Sequence, residues 1–223
     1  MTLLKHSNGA RILGATAGKL SKELTISATI ALALFLSTAT SVEAKSSHGA
    51  EAAKAAQTVK VKSFKRDNKT FVTGRTVIKA PVEIVWTTVH EERKNDPDLE
   101  YSKVLEQGKN ECRLEQKFVL IPVFGTAVCE MHNSEVPLKR IDYKLIHSDR
   151  FKSMEGSWVL TPTEDGRATI LELSTHLDLG LPVPRAFMTS VTSKKLSKRL
   201  GNVKAAAEHA HRQVAQRAAS GMH

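Results

Sequence analysis

Apolar and polar positions alternate with period two from Lys60 onward. The clearest early run, Thr70-Phe71-Val72-Thr73-Gly74-Arg75-Thr76-Val77-Ile78, is rich in β-branched residues and ends at Ala80-Pro81. This pattern predicts a strand. Pro81 suits the first helical position, where its missing N–H would have no partner anyway, and Val82, Val85, Trp86 and Val89 then recur at helical spacing. A short helix is expected, ending near Glu91 to Pro97, because Asn95-Asp96-Pro97-Asp98 is a turn cluster and the residue before a proline avoids helical geometry. Strand patterns follow at roughly 101–107, 111–120, 124–133, 140–148, 153–161 and 168–179. Their turns fall at Gln107 to Asn110, Pro122 to Gly125, Val136-Pro137 and Glu164-Asp165-Gly166, so an antiparallel meander is expected. In the last strand Thr169, Leu171, Leu173, Thr175, Leu177 and Leu179 share one face, while Glu172, Ser174, His176 and Asp178 share the other.

Gly180-Leu181-Pro182-Val183-Pro184 breaks that strand. From Arg185 to about Ala219 there is no proline, and Met188, Val191, Leu196, Leu200, Val203, Ala207, Ala210 and Val214 recur every three to five residues. One long terminal helix is predicted, with Gly201-Asn202 as a candidate kink. Its other face carries Lys194, Lys195, Lys198, Arg199, Lys204, Arg212 and Arg217.

The first 44 residues read differently. Lys5, Arg11, Lys19 and Lys22 precede an uncharged run from Leu24 to Val42 with an apolar heart at Ile30–Leu36, and Val42-Glu43-Ala44 approximates a small-x-small cleavage site. This is a secretory signal pattern, with cleavage expected between Ala44 and Lys45. Retention as a membrane anchor is the alternative, although Thr25, Ser27, Thr29, Ser37, Thr38, Thr40 and Ser41 make the run a mediocre span. A mitochondrial presequence ranks third, because the apolar heart is continuous rather than amphipathic. Residues 45–59 are rich in Ala, Ser, Lys and Glu without an apolar face and read as a flexible spacer; residues 60–219 form the folded domain. An exported protein, periplasmic or secreted, follows from this reading.

Composition adds the sign of the charge. There are 33 Lys and Arg against 23 Asp and Glu; the leader holds four and two of these, so 29 against 21 remain beyond it. A basic surface of this kind fits anionic membrane or nucleic acid. Only 5% of residues are aromatic, no basic stretch has interleaved aromatics, and no zinc-finger spacing occurs, so nucleic acid is not expected as a partner.

Val77-Ile78-Lys79-Ala80-Pro81-Val82-Glu83-Ile84-Val85-Trp86 resembles the opening of the START-like (SRPBCC) superfamily, in which a strand runs into an Ala-Pro helix start. Gly156-Ser157-Trp158-Val159-Leu160, the Gly166 turn, the Leu-rich strand, Leu181-Pro182 and the closing helix extend the likeness over about residues 68–215, and it is nearest the coenzyme Q-binding and polyketide cyclase branch. The resemblance implies an α+β helix-grip fold: a curved antiparallel sheet wrapped around a long C-terminal helix, with a short helix after the first strand. It also implies a deep cavity that holds lipids, quinones, sterols or polyketides.

No His-Glu-x-x-His, Cys-x-x-Cys, Gly-rich phosphate loop or Gly-x-Ser-x-Gly occurs, so no catalytic residue, metal or cofactor is assigned. His209 and His211 point about 200° apart on a helix and cannot share a ligand. By alternation, His132, His147, His176, Glu130, Glu155 and Glu172 are expected to face solvent. Cys112 and Cys129 fall on neighbouring strands, where a disulfide or two free core thiols are both open. The expected cavity lining is Leu171, Leu173, Thr175 and Leu177 opposed by Phe187, Met188, Val191 and Leu200, apolar with few convergent polar groups. The expected membrane contact is Lys194, Lys195, Lys198 and Arg199. The sequence therefore reads as an exported binding or carrier protein for an apolar small molecule. A polyketide cyclase or aromatase-like enzyme is the alternative, and a membrane-surface protein without a ligand the third reading.

Overall fold

The computed structural model describes residues 58–119 and 125–220, together with Glu51, Lys54 and Ala55. The signal or anchor segment 1–44 lies outside the described residues, as does most of the 45–59 spacer. Eight strands form one antiparallel sheet: β1 (Lys60–Arg66), β2 (Lys69–Ile78), β3 (Leu99–Gln107), β4 (Glu111–Val119), β5 (Thr126–Val136), β6 (Arg140–Ser148), β7 (Ser153–Pro162) and β8 (Thr169–Asp178). Helix α1 (Val82–Lys94) follows β2, and α2 (Arg185–Ser220) closes the chain. The strand order is β1-β2-β8-β7-β6-β5-β4-β3, so the meander expected from the sequence closes when its last strand pairs with β2. This is the helix-grip arrangement.

Three details differ from the sequence expectation. The first strand pattern is two strands, because Asp67 and Asn68 both adopt positive φ (51° and 61°) between the paired Arg66 and Lys69. That is the two-residue hairpin geometry which Asp and Asn tolerate best after Gly. Pro81 sits at the N-cap with an extended ψ of 155°, one position earlier than expected. Helix α2 runs through Gly201-Asn202 as a single element, with Gly201 buried against the core.

The register settles the cysteines. Cys112 lies opposite Asn133 and Cys129 opposite Gln116, four residues apart along the ladder. At about 3.4 Å per residue along the strand and about 4.8 Å between strands their Cα atoms are about 14 Å apart, beyond the ~7 Å a disulfide spans. Both thiols are free.

The core forms where α1 and α2 cover β2, β8 and β7. Ile78, Val85, Val89, Ile141, Trp158, Leu171, Leu173, Leu196, Leu200 and Val203 pack together there. Helix α2 approaches β2 closely because Gly74 has no side chain: a Cβ would run into Leu196 and Leu200. A second cluster lies further along the sheet, where Ala127, Cys129, Met131 and Phe151 meet Leu114, Phe118, Leu145, Met154 and Leu177. Between the two clusters the sheet is not filled.

A candidate ligand cavity

Strand alternation decides which side chains enter the unfilled space. On β4 the inward positions are Cys112, Leu114, Gln116 and Phe118, and on β5 they include Met131, Asn133 and Glu135; all seven line one cavity of about 670 Å³. Ligand pockets fall in the range of about 300–1,000 Å³. His90, Arg93 and Lys94 from α1, Asp96 and Leu99 beyond it, Tyr143, Met154, Trp158 and Thr175 from β6 to β8, and Arg199 from α2 complete most of the wall. The lining residues Ser102, Val104, Gln107, Lys109 and Asn110 belong to β3 and its hairpin and are exposed, so the cavity opens along that edge of the sheet.

The lining is sorted by register. Cys112, Asn133, Tyr143, Gly156 and Thr175 lie in one row across five strands. Glu135 stands two residues beyond Asn133, toward α1. In the opposite direction Leu114 pairs with Met131 and Phe118 with Ala127, and Met154 pairs with Leu177. One end of the cavity is thus polar and the other apolar apart from Gln116, where the sequence predicts an apolar pocket with few convergent polar groups.

The polar end is built from paired charges. Arg93 Nη1 lies 3.3 Å from Glu135 Oε1, and His90 Nε2 lies 3.6 Å from Glu135 Oε2. Arg199 Nη2 lies 3.0 Å from Asp96, and its Nε lies 3.7 Å from Glu92. The guanidinium also stands 5.3 Å from the Trp158 ring centroid, on the face that attracts cations. Glu92 Oε1 and Arg199 Nε are buried without a hydrogen bond between them. Burial pushes the Glu92 carboxyl up to about 7; Arg199 opposes the rise, and Asp96 adds to it. The cause is sequence phase: Glu92 follows Val85 by seven residues and Val89 by three, so it continues the buried stripe of α1. Arg199 does the same on α2, three residues after Leu196 and four before Val203. Burial holds the His90 ring below its usual pKa, against the pull of Glu135. Burial also raises the Tyr143 phenol, which donates a 3.3 Å hydrogen bond to the Ser174 carbonyl.

The eight side chains expected to line the pocket divide among four places. Thr175 lines the large cavity. Thr175, Leu177 and Met188 line a smaller one of about 280 Å³ under the first turns of α2 and the Leu181–Val183 loop. Leu171, Leu173 and Leu200 are fully buried in the packed core, because α2 descends onto β2 and β8 at Gly74 and leaves no space there. Phe187 is exposed, Val191 is half-buried, and neither borders a described cavity. The charged stripe divides as well: Lys194 and Lys198 are exposed, Lys195 bonds Asp98 at 2.7 Å, and Arg199 points inward. Arg199 is therefore part of the cavity wall and not of an outer surface. His176 also departs from expectation, being buried with its nitrogens 2.9 Å from Ser153 Oγ and from the Thr70 carbonyl.

The residues missed by the sequence reading carried a signal. Ala127, Cys129 and Met131 give one face of β5 an apolar start, and Asn133 and Glu135 turn the same face polar. A charge in the phase of an apolar stripe, as at Glu92 and Arg199, is the helical counterpart.

Comparison with known proteins places this chain in a family. The family described as "Polyketide cyclase / dehydrase and lipid transport" matches residues 69–208, and the chain belongs to it. Solved structures with the same fold include the Zhui aromatase/cyclase from Streptomyces sp. R1128, at 18% identity, TM-score 0.52, covering 62% of this chain and 93% of that one. The STAR-related lipid transfer protein of Xanthomonas axonopodis matches at 14% identity and TM-score 0.52, covering 68% and 94%. Human STARD10 matches at 10% identity and TM-score 0.54, covering 72% and 77%. The comparison with curated proteins gave no match.

Proposed function

We propose that this chain is an exported carrier that takes a largely apolar small molecule into the 670 Å³ cavity and releases it unchanged. The observation that carries the reading is the cavity itself, with the apolar wall of Leu114, Phe118, Met131 and Met154 and an opening along β3. At its polar end the strong groups engage one another, Arg93 with Glu135 and Arg199 with Asp96, so none of these stands as a lone acid or base. Family membership agrees with a hydrophobic ligand, since the family description names lipid transport. Export rests on the Lys5 to Ala44 leader, and docking on anionic membrane rests on the exposed Lys194 and Lys198. Native mass spectrometry of protein purified from its own membrane fraction tests the reading. A co-purified apolar molecule is expected, and its absence under lipid-rich conditions would contradict a carrier.

A cyclase is the second reading, favoured by a specific feature. Glu92, with its carboxyl near 7, stands behind Arg199, and His90 and Tyr143 reach the cavity, so groups able to exchange protons surround it. Cyclisation of a supplied polyketide by the purified protein would establish this reading.

A further inference from the structure

The balance of charge in the cavity narrows what its polar end can hold. The inner wall has two cations, Arg93 and Arg199, and each already has a carboxylate: Glu135 at 3.3 Å and Asp96 at 3.0 Å. All four side chains line the cavity. The other charged lining residues, Lys94, Lys109 and Glu111, are exposed at the rim; Lys94 stands 3.5 Å from Glu91 and Glu111 stands 3.3 Å from His132. Between the inner pairs and the apolar wall lie neutral hydrogen-bonding groups, Asn133, Tyr143 and Thr175; Gln116 lies within the apolar wall itself, between Leu114 and Phe118.

An anionic head group placed here would reach the arginines only beside Glu135 and Asp96, whose charges already offset theirs. A cationic head would meet two arginines. At this inner end either ion gives up its hydration where each arginine is already offset by a carboxylate, and Lys109, the lining lysine for which no acidic partner is seen among the described residues, lies exposed at the rim; that is the costly case for a buried charge. A hydroxyl, carbonyl or amide gives up far less, and it finds both donors and acceptors in the Asn133 and Tyr143 row.

We propose that the ligand is an amphiphile with an uncharged hydrogen-bonding head, seated at the Asn133–Tyr143–Thr175 row, with its hydrocarbon part against Leu114, Phe118, Met131 and Met154. This inference rests on the carrier reading and names the class of ligand for the same cavity. It excludes free fatty acids, phosphate-headed lipids and amines as preferred cargo.

The test uses Nile red bound to the full chain, displaced by decan-1-ol, decanoate or decylammonium below their aggregation limits. Decan-1-ol should displace the dye at least tenfold more tightly than either ion. Equal or tighter displacement by decanoate or decylammonium overturns the inference and leaves the carrier reading intact. Failure of the chain to bind Nile red or any of the three overturns the carrier reading, and this inference with it. In Glu135→Gln, Arg93 loses its partner charge and decanoate should bind at least tenfold more tightly than in the wild type. Asp96→Asn makes the same change at Arg199 and replaces that variant should Glu135→Gln fail to fold. No gain for decanoate in a folded variant of either kind contradicts the proposal.

Discussion

The Tyr143 ring crosses the backbone of Gly156 on the neighbouring strand so closely that a Cβ at Gly156 would overlap the phenol oxygen and the Ser174 carbonyl. The ring thereby reaches over β7, and its hydroxyl bonds β8 at the floor of the cavity. Gly156→Ala should therefore cost about 1–3 kcal/mol through overpacking. Urea unfolding of the variant measures this directly. A midpoint equal to that of the wild type would mean that the ring moves aside freely.

Much of the fold was legible in the sequence because its signals are local. Alternation marked the six meander strands to within three residues at each end, and the apolar stripe of α2 gave its length. The Asp67-Asn68 hairpin was missed because the alternation continues on both sides of the turn, so nothing in the apolar pattern breaks there. The expected lining coincides only in part with the observed cavities, for a different reason. Leu171, Leu173 and Leu200 do face inward as alternation requires, but whether an inward leucine meets packed core or open space depends on where a helix descends. That depends on Gly74, which a one-dimensional pattern does not reveal as a contact point.

Stability should depend on pH through Glu92. Its folded pKa, near 7, lies above the ordinary carboxylate value of 4.5, so the folded state holds a proton that the unfolded chain has released between those values. Stability linked to this group is thus full below about pH 4.5 and falls as pH rises toward 7, by up to about 3 kcal/mol. Glu92→Gln cannot lose that proton. The wild type should lose stability relative to Glu92→Gln across this window, as read from urea midpoints, and parallel curves would contradict the burial argument.

Lys194 and Lys198 are the exposed members of the basic stripe, each worth about 1 kcal/mol near an anionic surface. Lys194→Glu with Lys198→Glu should lower co-sedimentation with anionic liposomes at least tenfold while leaving the melting temperature within a few degrees. Arg199→Glu should behave differently: it places a third carboxylate beside Glu92 and Asp96 and lowers the melting temperature itself. Unchanged sedimentation of the double variant would reduce the stripe to a solubility feature.

Export predicts a defined N-terminus. The mature protein should begin at Lys45, and Ala44→Arg should block processing and accumulate the precursor, because the cleavage site then lacks its small residue. N-terminal sequencing of the secreted fraction checks both. Wild-type protein isolated with its first 44 residues attached would favour an anchor.

The central claim is that the space between β4, β5 and α1 holds the ligand, and Leu114→Trp tests it most directly. Leu114 is half-buried at the edge of the second cluster, opposite Met131 on the apolar wall, and an indole there would occupy the cavity while the main core under the two helices stays untouched. Nile red titration of the variant should show binding weakened at least tenfold, with a melting temperature close to that of the wild type. Wild-type affinity in a variant that folds normally would show that the ligand binds elsewhere.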